Sequence, residues 1–321
     1  MTDLLVKNCL LSKNKDPQDI LIKGGVIKDI ASKITADNIP IIDADFHFVT
    51  PPFVDSHFHM DATLSYGLPR VNKSGTLLEG IKLWGELKPT LTADAIKERA
   101  LKFCKWAIAR GTLAIRSHVD VSGQNLVGVE ALLDVRDSMK DFIDIQLVAF
   151  PQDGLLRANC LDNLNKALDM GVDVVGGIPH FERTMEEGHE SIRILCEIAE
   201  KRGLLTDLHC DETDDPMSRH VEKLALETTR LGLKGRVAGS HLTSMHSIDN
   251  YYFTKLISLL VEADLNIIAN PLINITIQGR QDNYPKRRGL TRIPEQLNAG
   301  LKVAFGPVSY THLRAHETDH D

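Results

Sequence analysis

Residues 51–63, Pro51-Pro52-Phe53-Val54-Asp55-Ser56-His57-Phe58-His59-Met60-Asp61-Ala62-Thr63, decide how the rest of the chain is read. Two prolines stop whatever precedes them, and the β-rich run FVDSHFH that follows predicts a strand. Alternate residues of a strand share a face. His57 and His59 therefore aim two imidazoles to one side, at the strand's carboxyl end.

From this stretch onward the pattern is strand, loop, helix, repeated. Strand-like runs recur as GTLAIRSHVDV (111–121), FIDIQLVAF (142–150), GVDVVGGIP (171–179), LLTDLHC (204–210), GRVAGSH (235–241), LNIIANP (265–271) and LKVAFG (301–306). Helix-like stretches lie between them, among them residues 91–110, 189–202, 216–233 and 251–265. The third has Pro216 at its start and a closing glycine, as helix boundaries favour. A spacing of roughly 30 residues is one βα unit. Eight such units predict an α/β fold, a (β/α)8 TIM-like barrel. An open doubly wound sheet is the runner-up, but no glycine-rich dinucleotide fingerprint supports it.

Residues 1–50 read differently. DLLVKNCLL and DILIKGGVIKDI are short and β-branched, with Gly24-Gly25 between strand-like pieces. They predict antiparallel strands belonging to a small N-terminal β-sandwich module. The expected organisation is 1–50 for this module, 51–306 for the barrel and 307–321 for a tail of different character.

Composition narrows the function classes. The chain has 321 residues, 43% hydrophobic and 25% charged, with a net charge of −7. That suits a large globular enzyme and offers no basic patch for nucleic acid. Five scattered cysteines without a CxxC pair argue against a disulfide framework or a thiolate zinc site. The first twenty residues lack a signal-peptide core and no apolar run reaches membrane length. The expectation is a cytoplasmic protein with a small-molecule partner, no nucleic acid and no membrane.

In a parallel barrel, chemistry sits at the carboxyl ends of the strands. The polar residues there are His57 and His59, His118, Gln152, His180 with Glu182, His209 with Glu212, His241 and Asn270. Imidazoles suit zinc, iron and related divalent ions, so four strand-end histidines in register point to a metal site. Glu212, three residues after His209, can reach over such a site as a proton carrier. Asp211, Asp214 and Asp215 share its acidic loop and read as solvated or structural.

At this point the residues carry a resemblance. PPFVDSHFHMDAT resembles the first strand of the amidohydrolase superfamily. SGTLLEGI (74–81), RSHVDVS (116–122), IQLVAFPQDG (145–154), DVVGGIPHFE (173–182), LHCDE (208–212), SHLTSMHS (240–247) and NPLINITIQGRQDNYPKRRG (270–289) resemble bacterial cytosine deaminase. The resemblance extends to Gly306. It implies one divalent metal, Fe(II) or Zn(II), held by His57, His59 and His209. It implies Glu212 as proton shuttle, His241 as the group orienting the attacking water, Gln152 binding the pyrimidine edge, and Leu77, in the loop after the first strand, packing on the ring face. The reaction implied is hydrolysis of cytosine to uracil and ammonia. Another cyclic amidine (a triazine, isoguanine or a methylcytosine) is the alternative substrate. The resemblance also permits a homo-oligomer.

After Gly306 the likeness stops. The family has His-Asp-Asp there, with an acidic metal partner just past strand eight, whereas this chain has Pro307-Val308-Ser309. The remaining SYTHLRAHETDHD reads as a foreign tail; a helical metal face of His312, His316 and His320 is the weaker reading. The sequence therefore predicts a barrel incomplete after strand eight, apolar surface left exposed, and weak or absent turnover. An inactive metal-binding fragment is the reading outside the enzymes.

Overall fold

The computed structural model describes residues 3–12 and 16–308; the tail from residue 309, including the three spaced histidines, lies outside them. Two compact units are present, Met1–Phe53 and Val54–Asp321.

The first unit is one four-stranded sheet built from β1 (Leu4–Cys9), β2 (Gln18–Lys23), β3 (Val26–Ala31) and β4 (Ile41–Asp43), in the order β3-β2-β1-β4. Gly24 and Gly25 both have positive φ, 60° and 78°, the backbone a two-residue hairpin turn requires. The antiparallel expectation holds for β1–β2 and β2–β3 and fails for β1–β4, which is parallel. Among the described residues this unit is a single layer. A chain passing over the sheet before it adds β4 leaves no local pattern, because the long connection carries the reversal. Val26, Ile27 and Ile30 of β3 and Ile41 and Ile42 of β4 are exposed.

The second unit is the barrel. Its strands are β5 (Phe53–Phe58), β6 (Thr112–Asp120), β7 (Asp144–Phe150), β8 (Val174–Gly177), β9 (Leu205–Cys210), β10 (Val237–His241), β11 (Asn266–Ala269) and β12 (Lys302–Phe305). They form an eight-stranded sheet in sequence order from β5 to β12. The pairings described from β6 through β12 are parallel. Helices α1 (Leu77–Leu87) and α2 (Ala93–Ala109) follow β5. Then α3 (Val127–Met139), α4 (Cys160–Asp169), α5 (Met185–Arg202), α6 (His220–Arg230) and α7 (Asn250–Glu262) follow one strand each, and α8 (Pro271–Ile277) and α9 (Ile293–Asn298) follow β11. The open-sheet runner-up is excluded by what joins the two end strands. Val308 donates its backbone N–H to the His57 carbonyl at 3.0 Å, and His59 donates to the Val308 carbonyl at 3.0 Å. This bridge draws the eight-stranded sheet nearly closed at its carboxyl end.

The core lies between strands and helices. Phe58, Phe103 and Leu132, for example, pack with Leu164, Leu195, Leu224 and Leu256 in one buried cluster. Gly306 is required where the chain leaves β12: a Cβ there would lie 2.6 Å from the His57 Cβ and 2.8 Å from its backbone nitrogen. Among the described residues no helix is long and apolar enough to cross a membrane.

One helix start differs from expectation. α6 begins at His220, four residues after Pro216. Its first amides are satisfied from a distance: the Asp211 carboxylate accepts from His220 N at 3.0 Å and Val221 N at 2.9 Å. It also accepts from His220 Nδ1 at 2.8 Å and the Ser218 hydroxyl at 2.7 Å. Of the two readings given for Asp211, the structural one is right, because the side chain is fully buried. Burial alone would raise its pKa, but the bond from His220 and the others hold the carboxyl below its ordinary value. A depressed carboxyl stabilises the fold above its ordinary titration range, and that contribution is lost as pH falls through the folded value. Asp211→Ala is expected to cost about 3 kcal/mol, since it strips a buried partner and a helix cap together. Urea unfolding at neutral pH measures this; a cost under about 1 kcal/mol, the ordinary mutational range, would refute the capping role.

Candidate metal centre

The barrel's carboxyl end gathers histidines from four strands. His57 ends up fully buried near the end of β5, with His59 just beyond it; His118 comes from β6, His209 from β9 and His241 from the end of β10. His57 Nε2 lies 3.1 Å from His209 Nε2, and His59 Nε2 lies 3.0 Å from the same atom. The His241 ring centre is 4.8 Å from that of His57 and 5.0 Å from that of His209. Two ligand sets meet the distance requirement for one ion, His57 with His209 and His241, and His57 with His59 and His118; the trio expected from the sequence, His57, His59 and His209, is neither of them, although His209 Nε2 approaches both partners.

The donor set fits a divalent cation. Nitrogens bound about 2.0–2.1 Å from a tetrahedral ion sit roughly 3.4 Å apart. Here one nitrogen faces two others at closer to 3 Å. His209 Nε2 can make only one full hydrogen bond, as donor or as acceptor, so without a cation one of those two contacts is not a full hydrogen bond. His118 is fully buried with Nε2 3.9 Å from Asp207 Oδ1, and His209 Nδ1 has no hydrogen-bond partner. Burial first, and then the neighbouring imidazoles, push the pKa values of His57 and His209 well below the ordinary histidine value. Burial also brings His118 and His180 down to about 4. Neutral imidazole is the form that binds metals. Phe150, at the end of β7, stacks on His209 with ring centres 4.1 Å apart, holding that imidazole from its apolar face.

Glu212 stands beside this cluster. Asp211 adopts a left-handed backbone (φ 52°) immediately after β9, which an aspartate tolerates better than most residues. The turn places buried Glu212 with its Oε1 2.8 Å from His241 Nδ1. Asn274, on α8, donates from Nδ2 to the same oxygen at 2.9 Å and contacts His241 Nδ1 as well. His241 itself (φ 73°) and Leu242 (φ 51°) both have left-handed backbone, a strain that concentrates at functional sites. The amide of Asn270 is best oriented with its nitrogen toward the Gly306 and Ala269 carbonyls and its oxygen 3.3 Å from His241 Nε2.

A pocket opens above these groups. Gln152, Ile178, Val308, Asp61 and Ala62 line it together with His59, His209, Glu212 and His241, and Leu77, Gly80, Ile81 and Trp84 of α1 form one wall. Leu77 is therefore the first residue of a helix rather than part of a loop. The signal was present in the sequence: the Thr76 hydroxyl accepts from Glu79 N at 3.2 Å, and the Glu79 carboxylate returns to Ser74 N at 2.6 Å, a variant of the capping box. The far end of α1 is fastened to the barrel. Trp84 Nε1 donates to Asp120 at 2.6 Å. Lys88 Nζ bridges Asp120 at 3.0 Å and Asp153 at 2.9 Å, next to Gln152. His180 and Glu182 stand apart from the cluster: His180 Nδ1 meets the His209 carbonyl at 3.1 Å, and Glu182 accepts from Leu156 N at 3.2 Å. Trp84, which lines the pocket, and Asn274, which holds Glu212, are groups that reading the sequence missed. Only Asn274, inside an already notable motif, carried any signal.

A buried cluster of neutral imidazoles with an acid hydrogen-bonded beside it, at the mouth of a parallel barrel, is what metal-assisted hydrolysis requires of a protein. The family comparison agrees: the amidohydrolase family matches residues 40–307, and the chain belongs to it. The chain is similar to N-isopropylammelide isopropyl amidohydrolase of Pseudomonas sp. strain ADP, 31% identical over 279 residues, which cover 83% of this chain and 67% of that one. It is also similar to pterin deaminase of Rhizobium rhizogenes, 28% identical over 89% of this chain and 66% of the relative. Among solved structures, 5-methylcytosine deaminase from Klebsiella pneumoniae, liganded with 5-fluorocytosine, superposes with a TM-score of 0.92 at 41% identity, covering 95% of this chain and 75% of that one. The chain thus spans about two-thirds of the length of these curated relatives.

Proposed function

We propose that this barrel is built for hydrolytic deamination of a cytosine-type ring, with one divalent ion, Fe(II) or Zn(II), held by His57, His59 and His209. The observation that carries the proposal is the approach of His57 Nε2 and of His59 Nε2 to His209 Nε2, beside the hydrogen-bonded Glu212–His241–Asn274 array. The likeness to 5-methylcytosine deaminase at 41% identity supports the choice of ring.

A bound divalent ion would lower the pKa of a coordinated water and polarise the ring carbon's substituent. The chain's own groups supply the rest. Gln152 offers an amide that both donates and accepts, matching the edge of a pyrimidine. Leu77, Ile81 and Trp84 exclude water from the ring's face. Water adds its oxygen to the amidine carbon. Glu212 carries one of the water's protons to the ring nitrogen, and then the second, from the new hydroxyl, to the departing amine. The carbon–nitrogen bond breaks, ammonia leaves, and the ring keeps a carbonyl. Asn274 and His241 hold one oxygen of Glu212, which leaves the other to carry the proton.

Ammonia release from cytosine, 5-methylcytosine, isoguanine and a triazine by the metal-loaded protein tests the proposal. Release led by either cytosine supports it. Preference for a triazine moves the function to another cyclic amidine, a reading favoured by the similarity to the N-isopropylammelide enzyme. A second reading, a metal-binding barrel without turnover, is favoured by Val308, which lines the pocket where the family has an acid. No release with the ion bound, from this chain or from a Val308→Asp variant, leaves only that reading.

A further inference from the structure

Below the histidines the barrel interior holds a chain of polar groups that the proposed chemistry does not use. His57 Nδ1 lies 3.1 Å from the Ser240 hydroxyl on β10. That hydroxyl lies 2.6 Å from Asp207 Oδ1 on β9. The other Asp207 oxygen accepts from Arg116 Nη1 on β6 at 3.1 Å, and Arg116 Nε donates to Gln146 on β7 at 2.7 Å. Ser240, Asp207 and His57 are fully buried.

The directions of these bonds follow from the chemistry of the groups. A carboxylate paired with a guanidinium is ionised and can only accept. Ser240 has one proton, and the short contact to Asp207 takes it. Only an oxygen lone pair is then left to face His57, so Nδ1 of His57 must carry the hydrogen. A neutral imidazole protonated at Nδ1 has its bare lone pair on Nε2, the atom turned toward His209. Of His57 and His209, only His57 has this arrangement, because His209 Nδ1 has no hydrogen-bond partner.

We propose that Asp207 and Ser240 are positioning residues that fix His57 in the Nδ1–H tautomer and so keep its Nε2 free to bind a divalent ion. The inference rests on the metal-centre reading above. Outer partners of this kind typically account for about 10–100-fold in metal affinity. Arg116 donates to the other Asp207 oxygen at 3.1 Å, so the relay is anchored by a charge on the far side of the barrel.

Two measurements on the full chain decide it. The first is the imidazole nitrogen spectrum of the metal-free protein, with His57 assigned by comparison with His57→Gln. The expected result is a protonated Nδ1 and a bare Nε2; a protonated Nε2 overturns the proposal, with no variant of the relay needed. The second is Zn(II) affinity by competition with a chromophoric chelator, for the parent and for Ser240→Ala. A loss of about 10–100-fold is expected, with Nε2–H becoming populated in the metal-free spectrum. Unchanged affinity and unchanged tautomer in a folded Ser240→Ala protein overturn the relay alone. Failure of the parent chain to bind Zn(II), with the tautomer as expected, overturns the metal-centre reading instead.

Discussion

Ammonia release from cytosine is expected to rise by roughly 10²–10⁴-fold when Val308 is replaced by Asp, the range by which one well-placed acid–base group accelerates a reaction. The backbone favours the exchange. Val308 sits at φ 69°, a left-handed conformation that is an outlier for a β-branched residue and far commoner for aspartate. Its position is fixed by the two backbone bonds to His57 and His59, so an introduced side chain would start from the strand that carries two of the proposed ligands. The packing opposes the exchange. Val308 is buried against Ile273 and Ile277, with Leu77 beside them, and a carboxylate there lacks an apolar partner's fit. The metal-free variant is therefore expected to lose on the order of 1–3 kcal/mol. Bound Zn(II) should restore that loss by binding only the native state. Thermal unfolding with and without Zn(II), beside the ammonia assay, separates the two effects. Unchanged release at full metal occupancy would mean that the position after β12 does not limit turnover.

Glu212→Gln, made in the Val308→Asp background so that loss can be measured, is expected to lower turnover by about 10²–10⁴-fold while leaving substrate binding nearly unchanged. Glutamine has the same length and keeps an oxygen that can accept from His241 Nδ1 and Asn274 Nδ2, now 2.8 and 2.9 Å from the carboxylate. What disappears is the ability to take up a proton. Binding of uracil, measured by calorimetry, reports the ground state; ammonia release reports the barrier. A loss under tenfold would assign the proton to another group and sink the role given to Glu212.

Much of the barrel was legible because its cause is local. Each run quoted from residue 53 to residue 306 contains a strand, and the trimmed ends, such as Gly171–Val172 before β8 and Ile178–Pro179 after it, are where glycine or proline interrupts a ladder. The histidine pair was legible for the same reason, since a period of two fixes which side chains share a face. What escaped was non-local. Asp211 caps α6 across nine residues, so a rule that looks for the cap beside the helix chose Pro216. Asn274 reaches Glu212 across 62 residues, and Ser240 reaches Asp207 across 33. No window of the sequence contains both members of either pair. Leu77 is different: its helix start was written in Thr76 and Glu79.

The bridge between Val308 and the β5 end has a consequence for how long anything stays bound. A closed ring of hydrogen-bonded strands parts first at its thinnest join, and the described join between the ends of this sheet is two backbone bonds. β5 carries His57, with His59 just past its end, while His209 comes from β9 on the other arc. Breathing at the join therefore pulls the candidate ligands apart without unfolding the rest. Amide exchange at His59 and Val308 should run ahead of exchange along β6 and β7. The residence time of a bound ion should follow that local opening rate rather than the global stability of the barrel.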